Sequence, residues 1–353
     1  MNDIKFIVTG DLHWTGKNPK ARLDNYKEAL SLKLKEIFEL ALHHKCKGVI
    51  IPGDIFDSPG ASLSVISELG NLLYQASKMD VKTNPSVIPD PLCPMDIFTI
   101  AGNHDVYSGN KNTLNRTPYG LLKQFRILTH IEEFVFPGFG LVLQGHSYNA
   151  EITDKALSYY LPHDSDFYID EPRIKMLVTH GMLLDKAPGY ELRHTLMSDV
   201  AEHPNAPDIL INGHEHNGFG IKKINNTLFI NPGSIGRIKA TEENINRIPQ
   251  VALLTIPTEG KGDPFAELIP LKSAKPGHEV LSREHIIEEK KRKEMTQKFL
   301  ELLAEEGESK YQDLEQVVKG IGKRKHLPKP IVNEALKRLA EAREEGDHEQ
   351  RSR

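Results

Sequence analysis

The chain has little sulfur chemistry to offer. Of 353 residues only Cys46 and Cys93 are cysteines, so no disulfide framework is implied and a reducing cytoplasm fits. There is a single tryptophan. No apolar run approaches the roughly 18 residues that a bilayer crossing requires, so no membrane-spanning role is expected. Neither sign of charge dominates. The 45 basic and 49 acidic side chains leave a net charge of −4, which argues neither for nor against a nucleic-acid partner. The first apolar run, Ile4–Val8, leads straight towards Asp11. A cleaved leader there would remove a chemically interesting residue, so none is expected. The length fits one large domain, or one large and one small.

Short runs rich in Val and Ile are present in number. Ile4–Thr9, Gly48–Ile51, Asp96–Ala101, Ile174–Thr179, Pro207–Asn212 and Thr227–Asn231 each stop at a polar or glycine residue, and they read as buried strands. Tyr26, Ala29, Leu30, Leu34, Ile37, Phe38, Ala41 and Leu42 are spaced for one apolar helix face. A second helix is predicted from about Ser62 to Ser77. Strands alternating with helices give an α/β class. Leu141–Gln144 and Val251–Thr255 add strands and predict a second sheet packed on the first. Lys82–Pro94, with four prolines, reads as a loop. From about residue 279 the chain turns strongly charged with helical spacing. The expected division is therefore 1–278 and a helical region 279–353 of about three helices.

The chemistry sits where apolar runs end. Asp11-Leu12-His13, Gly53-Asp54, Gly102-Asn103-His104-Asp105, Thr179-His180-Gly181 and Gly213-His214-Glu215-His216 supply seven candidate metal ligands. These are Asp11, His13, Asp54, Asn103, His180, His214 and His216. Carboxylate, amide oxygen and imidazole without thiolate suit Mn, Fe, Zn or Co. Seven ligands exceed one tetrahedral ion. They match two divalent ions sharing a carboxylate, the arrangement that clamps an in-line displacement at phosphorus. Asp11 and His13, two residues apart in extended chain, point the same way. Asp54 is placed to bridge. His104, left off the ions, is the candidate to act on substrate, with Asp105 to orient its imidazole. A D-x-H triplet alone is more often a surface loop. The set of five, each after a strand, carries the metal reading. His43, His130, His146 and His163 read as structural.

With these motifs together the chain resembles the calcineurin-like metallophosphoesterases over about residues 4–275. The resemblance implies a four-layer α/β/β/α sandwich. It implies that Asp11, His13, Asp54 and His216 hold one ion, that Asp54, Asn103, His180 and His214 hold the other, and that His104 is the catalytic histidine. Within that superfamily the chain looks most like the SbcD-type nucleases, through Gly53-Asp54-Ile55-Phe56-Asp57, Ala101-Gly102-Asn103-His104-Asp105, Asn231-Pro232-Gly233-Ser234-Ile235 and Leu268-Ile269-Pro270-Leu271. This implies a Mn-dependent DNA exonuclease and endonuclease of DNA repair, recombination or replication. It also implies a homodimer within a heterotetramer with an SbcC-type coiled-coil ATPase, cytoplasmic, and nucleoid-associated if bacterial or phage-encoded. The β-rich capping domain usual in the group is missing or replaced by the charged helices. Those helices are either a docking arm for the ATPase or solvated helices on the core, and Lys323-Arg324-Lys325 with Lys329 could instead touch DNA phosphate. Protein phosphatases of the superfamily carry an Arg directly after the Asp that matches Asp57. Here Ser58 follows, which favours a diester over a dianionic monoester. Asp57, Arg237 and Lys239 are candidate substrate contacts, with Lys222 and Lys223 nearby. The competing readings are a small-molecule or RNA phosphodiesterase of the same fold and a catalytically silent scaffold.

Overall fold

The computed structural model describes residues 3–77, 95–136, 139–150, 156–164, 174–188, 192–257 and 262–282, scattered positions from 284 to 298, and 314–337. The proline-rich stretch Lys82–Pro94, which includes Cys93, lies outside them. The strands, in chain order, are β1 Ile4–Val8, β2 Gly48–Ile51, β3 Asp96–Thr99, β4 Thr129–His130, β5 Glu133–Phe136, β6 Leu141–His146 and β7 Ile174–His180. They continue with β8 Leu183–Leu184, β9 Thr195–Leu196, β10 Ile209–Gly213, β11 Gly220–Ile224, β12 Thr227–Asn231, β13 Gln250–Ile256 and β14 Phe265–Pro270. Two six-stranded sheets result, in the orders β14-β13-β1-β2-β3-β4 and β11-β12-β10-β7-β6-β5, with β8 and β9 as a small extra pair.

Alternation along each strand builds the layers. Phe6, Val8 and Ile50 point between the sheets, where they meet Ile209, Ile211, Leu228 and Ile230. The intervening Ile7, Val49 and Ile51 point outward, onto helix α1 (Tyr26–His43) and helix α2 (Leu63–Ser77), through Leu30, Leu34, Ile37, Leu69 and Leu73. Leu210 and Phe229 point out of the second sheet, onto Tyr159, Tyr160, Met197 and Val200. A period of two with both faces covered produces runs that are apolar throughout. Helices, two sheets and helices thus stack as four layers, the expected α/β/β/α sandwich. Asn25 caps α1, its side chain accepting from the Glu28 amide at 3.2 Å.

The second sheet exists, with one correction to its membership. Leu141–His146 belongs to it, paired parallel to β7. Val251–Thr255 does not: β13 runs antiparallel to β1 in the first sheet, with Phe6 opposite Leu254. An apolar run signals burial but not its neighbour, and the same Val251 pattern would serve either sheet. The strands β1, β2 and β3 are mutually parallel, and so are β7, β10 and β12. The loops that follow them therefore leave from corresponding strand ends, the edge at which open α/β sheets bind ligands.

The chain divides into two compact units, Met1–Leu281 and Ser282–Arg353. In the second, a helix Leu314–Arg324 packs Val318 and Ile321 against Leu327 of the connecting loop and Val332, Ala335 and Leu336 of a following helix at 329–337. Among the described residues no helix is long and apolar enough to cross a membrane.

Candidate metal centre

Three of the seven ligand candidates lie on unusual backbone beyond strand ends. His13 (φ 49°), Asp54 (φ 48°) and His214 (φ 76°) are all left-handed without being glycine. Such residues cost about 1–3 kcal/mol each and cluster at functional sites. Gly53 precedes Asp54 at φ 99°, and a Cβ there would stand 2.6 Å from His180 Nδ1 and 2.9 Å from Gly102 Cα. Only glycine lets these three motifs close on one another. The loops are also tied by main chain. Leu12 and His13 amides donate to the Asp54 carbonyl at 3.1 and 2.9 Å. The Asp11 carboxylate accepts from the His214 amide, at 3.1 Å to Oδ2.

All seven side chains converge. Asp11, His13, Asp54 and His216 form one group and Asp54, His180 and His214 another, and Asp54 belongs to both. In the first, His13 Nε2 lies 2.9 Å from His216 Nε2 and 3.6 Å from Asp54 Oδ2, and His216 Nε2 lies 3.3 Å from Asp11 Oδ2. In the second, Asn103 Oδ1 lies 3.0 Å from His180 Nε2 and 2.9 Å from His214 Nδ1, and His180 Nε2 lies 3.3 Å from Asp54 Oδ2. Ligands about 2.1 Å from one ion stand about 3.0 Å apart in an octahedron and about 3.4 Å in a tetrahedron. The observed spacings match. Asp54 Oδ2 is buried without a hydrogen-bond partner, although it sits between two imidazoles. A buried carboxylate oxygen left this way is costly, and a pair of cations would satisfy it. The donor set fits two divalent ions, and no sulfur ligand restricts them to soft metals.

Electrostatics follow from the packing. Burial would lower the His180 pKa, but the Asp54 and Asp11 carboxylates outweigh it and hold it at about 9. Asp54 would be raised by burial, yet His180 and His13 bring it well below the usual carboxylate range. Burial, and then His180, hold His214 down at about 4.

Behind the ligands, three groups stand against the imidazoles, and sequence reasoning gives none of them that role. His180 Nδ1 donates to the Pro52 carbonyl at 2.7 Å, which turns Nε2 to the centre. The Asp57 carboxylate lies 3.5 Å from His13 Nδ1, and His13 draws its pKa down. The Asp57 carbonyl accepts from His104 Nδ1 at 2.9 Å. Such outer partners fix tautomer and ring angle. A carbonyl's aim leaves no mark in sequence. The Asp57 carboxylate does leave one, its closeness to Asp54, but that closeness reads equally well as a substrate contact.

Several expected roles are revised. Asp105 does not orient His104. Its buried carboxylate accepts from the amides of Gly102 (2.9 Å), Phe56 (3.0 Å) and Ile55 (3.2 Å), so it ties the second motif loop to the third. Burial, and then repulsion from Asp54, push its pKa up to about 7. Asp57 lies beside His13 through its carboxylate and meets His104 through its carbonyl, two neighbours that the sequence does not give it. Arg237 is only 2% exposed and its terminal nitrogens donate to the carbonyls of Arg247 and Lys275, so it does not form a rim. Lys222 and Lys223 pair with Asp185 and Asp263. Lys239 is exposed without a described contact to the centre. Of the histidines read as structural, His130 bonds Tyr119 Oη at 2.7 Å and His146 the Tyr159 carbonyl at 2.7 Å.

Solved structures of low sequence identity are similar to this chain. The protein TT1561 of Thermus thermophilus is 11% identical, with 76% of this chain and 100% of that one covered and a TM-score of 0.41. A dimetal phosphatase from Danio rerio is 12% identical, with 77% and 100% covered and a TM-score of 0.38. No curated protein sequence matches the chain. The sequence profile described as calcineurin-like phosphoesterase matches residues 4–218. That span holds all seven converging side chains and His104, and the chain belongs to the calcineurin-like phosphoesterase family.

Proposed function

We propose that this phosphoesterase is a two-metal phosphodiesterase acting on DNA, as an exonuclease and endonuclease in repair, recombination or replication. The observation that carries the reading is a cavity of about 390 Å³ that opens directly off the second ligand group. Tyr148, Tyr159, Tyr160 and His194 line it together with His180 and His214. Tyr148 lies nearly parallel to the His214 ring, with centroids 6.1 Å apart at 25°. A bare phosphate has no use for such a slot. A nucleobase does, because stacking on an aromatic ring contributes about 1–3 kcal/mol per base. The volume falls in the range of about 300–1,000 Å³ typical of organic-ligand pockets. Ser58 where an arginine clamp would stand supports a singly charged diester over a dianionic monoester.

Asp11, His13, Asp54 and His216 would hold one ion and Asp54, Asn103, His180 and His214 the other, with manganese the assigned metal. Bound there, the ions would neutralise the phosphate and lower the pKa of a water towards 7. The protein's own contribution centres on His104. With Nδ1–H committed to the Asp57 carbonyl, Nε2 is the working end. When protonated, it hands a proton to the leaving oxygen or offsets charge building on phosphorus. Pro52 and Asp57 hold their imidazoles in one tautomer, and Tyr148 orients the base. The same reading assigns the helices after residue 281 to docking on a coiled-coil SbcC-type ATPase, and the catalytic unit to a homodimer in that assembly. Its support is the motif resemblance.

The test is the Mn-supplemented full-length chain offered linear duplex DNA, single-stranded DNA, bis-p-nitrophenyl phosphate and p-nitrophenyl phosphate. Cleavage of DNA and of the dye diester, with little on the monoester, is expected. Tyr148→Ala is expected to raise KM for DNA about 10-fold, from the lost stacking. Cleavage of the dye diester alone would support the small-molecule or RNA reading. Silence on all four would support the scaffold.

A further inference from the structure

A second cavity, of about 110 Å³, shares no residue with the metal centre. It lies along α1 and is lined by four cationic side chains, Arg22, Lys33, Arg237 and Lys275, against two carboxylates, Asp24 and Glu28. Arg22 and Asp24 consume each other in a two-pronged pair, at 2.8 Å from Nε and 2.9 Å from Nη2. What remains is an excess of positive charge whose two inner members are almost completely withdrawn from water: Lys33 is 1% exposed and Arg237 2%, while Lys275 is exposed. Each has only part of its hydrogen-bonding capacity engaged. Lys33 Nζ donates to the Ile235 carbonyl at 2.8 Å, leaving two of its three protons. Both terminal nitrogens of Arg237 are used on carbonyls, but its Nε is buried with no partner, and so is Ser273 Oγ on the same wall. Buried donors are normally satisfied, and each exception calls for an explanation. A missing counter-charge explains both orphans and the cation excess together.

From these groups we infer that the cavity between α1 and the Arg237 and Ser273 segments binds a tetrahedral oxyanion, either free phosphate or the terminal phosphate of a nucleotide. A phosphate group brings several acceptor oxygens and one to two negative charges, so it can take the Arg237 Nε proton, the Ser273 hydroxyl and the idle Lys33 protons at once. The space is too small for a nucleoside, so only the phosphate enters. Burial, and then the guanidiniums of Arg22, Arg237 and Arg247, press the Lys33 pKa down to about 7, as expected of cations crowded without an anion. The site also adjoins the machinery. Lys33 and Arg22 hold the carbonyls of Ile235 and Arg237. In the same turn Ser234 Oγ donates to the Asp11 carbonyl at 3.0 Å. An anion here would stiffen the turn that supports a metal ligand.

The experiment uses the metal-loaded full-length chain, with and without chelator, because phosphate also seeks the metal centre. Inorganic phosphate is expected to give a saturable rise in melting temperature, part of which survives chelation. In Lys33→Met the chelator-resistant part should need about 10-fold more phosphate, and in Ser273→Ala several-fold more, in line with lost charge-assisted hydrogen bonds. Ser273→Ala removes only an unpartnered hydroxyl, so it remains interpretable if Lys33→Met misfolds. A parallel titration with deoxyadenosine monophosphate separates the sources: an equal chelator-resistant rise means a nucleotide phosphate enters, and none means free phosphate alone. Selenate soaked into crystals is expected to give an anomalous peak beside Arg237. The inference is overturned if chelation abolishes the whole rise, if both variants titrate like the unmodified chain, or if selenate appears only at the metal centre.

Discussion

Gly213→Ala is the most informative small change. A Cβ at this position would stand 2.7 Å from His180 Nδ1 and 2.8 Å from Asp11 Oδ1, and would also press on the Pro52 carbonyl. Ordinary contact begins at 3.4 Å, so His180 would have to retreat by about 0.7 Å. Metal–ligand distances tolerate only about 0.2 Å. The same methyl disturbs the carbonyl that fixes the His180 tautomer, and losing an outer partner of that kind typically costs 10–100-fold in metal affinity. A fall of at least that size, about 1.4–2.7 kcal/mol, is therefore expected at the ion held by His180. The fold should lose no more than about 1–3 kcal/mol from the overpacking. Calorimetric titration of manganese, with thermal melting of the metal-stripped protein as the folding control, measures both. Manganese affinity within twofold of the unmodified chain in a folded variant would refute the placement of His180 and Asp11 around one centre.

Other outcomes follow from the same geometry. His104→Ala is expected to keep both metals and lose about 10²–10⁴-fold in kcat, and loss of metal would show that its role is misassigned. Asp57→Asn should weaken the ion held by His13 by about 10–100-fold, whereas a substrate-contact role would raise KM and leave metal content untouched. Asp105→Ala strands three buried amides at about 1–3 kcal/mol each, so it should melt well below the parent; a pure catalytic role would leave the melting temperature alone. The pH dependence has a defined sign. The folded pKa of His180, about 9, lies above the ordinary 6.5. In metal-stripped protein this contributes about 3 kcal/mol, fully present below pH 6.5 and lost as pH rises through 9. Because an ion must displace that proton, manganese affinity should rise across the same window. Affinity that is flat from pH 6.5 to 9 would contradict the coupling.

Much of this site was legible because its chemistry sits at strand ends. Val49-Ile50-Ile51 before Gly53-Asp54, and Ile97–Ala101 before Asn103, are buried on both faces, and the abrupt change to polar residues marks where the sheet edge meets solvent or ligand. What did not show was direction. Asp105 beside His104 looks like its partner, yet the tight turn after Gly102 aims its carboxylate at backbone amides. Arg237 is near the final histidines in sequence, and an arginine there reads as surface until its carbonyl partners are seen. Pro52 acts through its carbonyl, which every residue carries. Val251–Thr255 announces burial without naming β1 as its neighbour. Periodicity encodes how deep a residue lies. Which atom it faces depends on turns that distant segments close together.

A pair of divalent ions joined through the Asp54 carboxylate is tested most directly by anomalous scattering at a metal edge from crystals of active protein, paired with elemental analysis. Two metal equivalents per chain and two peaks about 3.5–4 Å apart, both touching Asp54, are the expected result. A single peak, or peaks that leave Asp54 Oδ2 unligated, would contradict it.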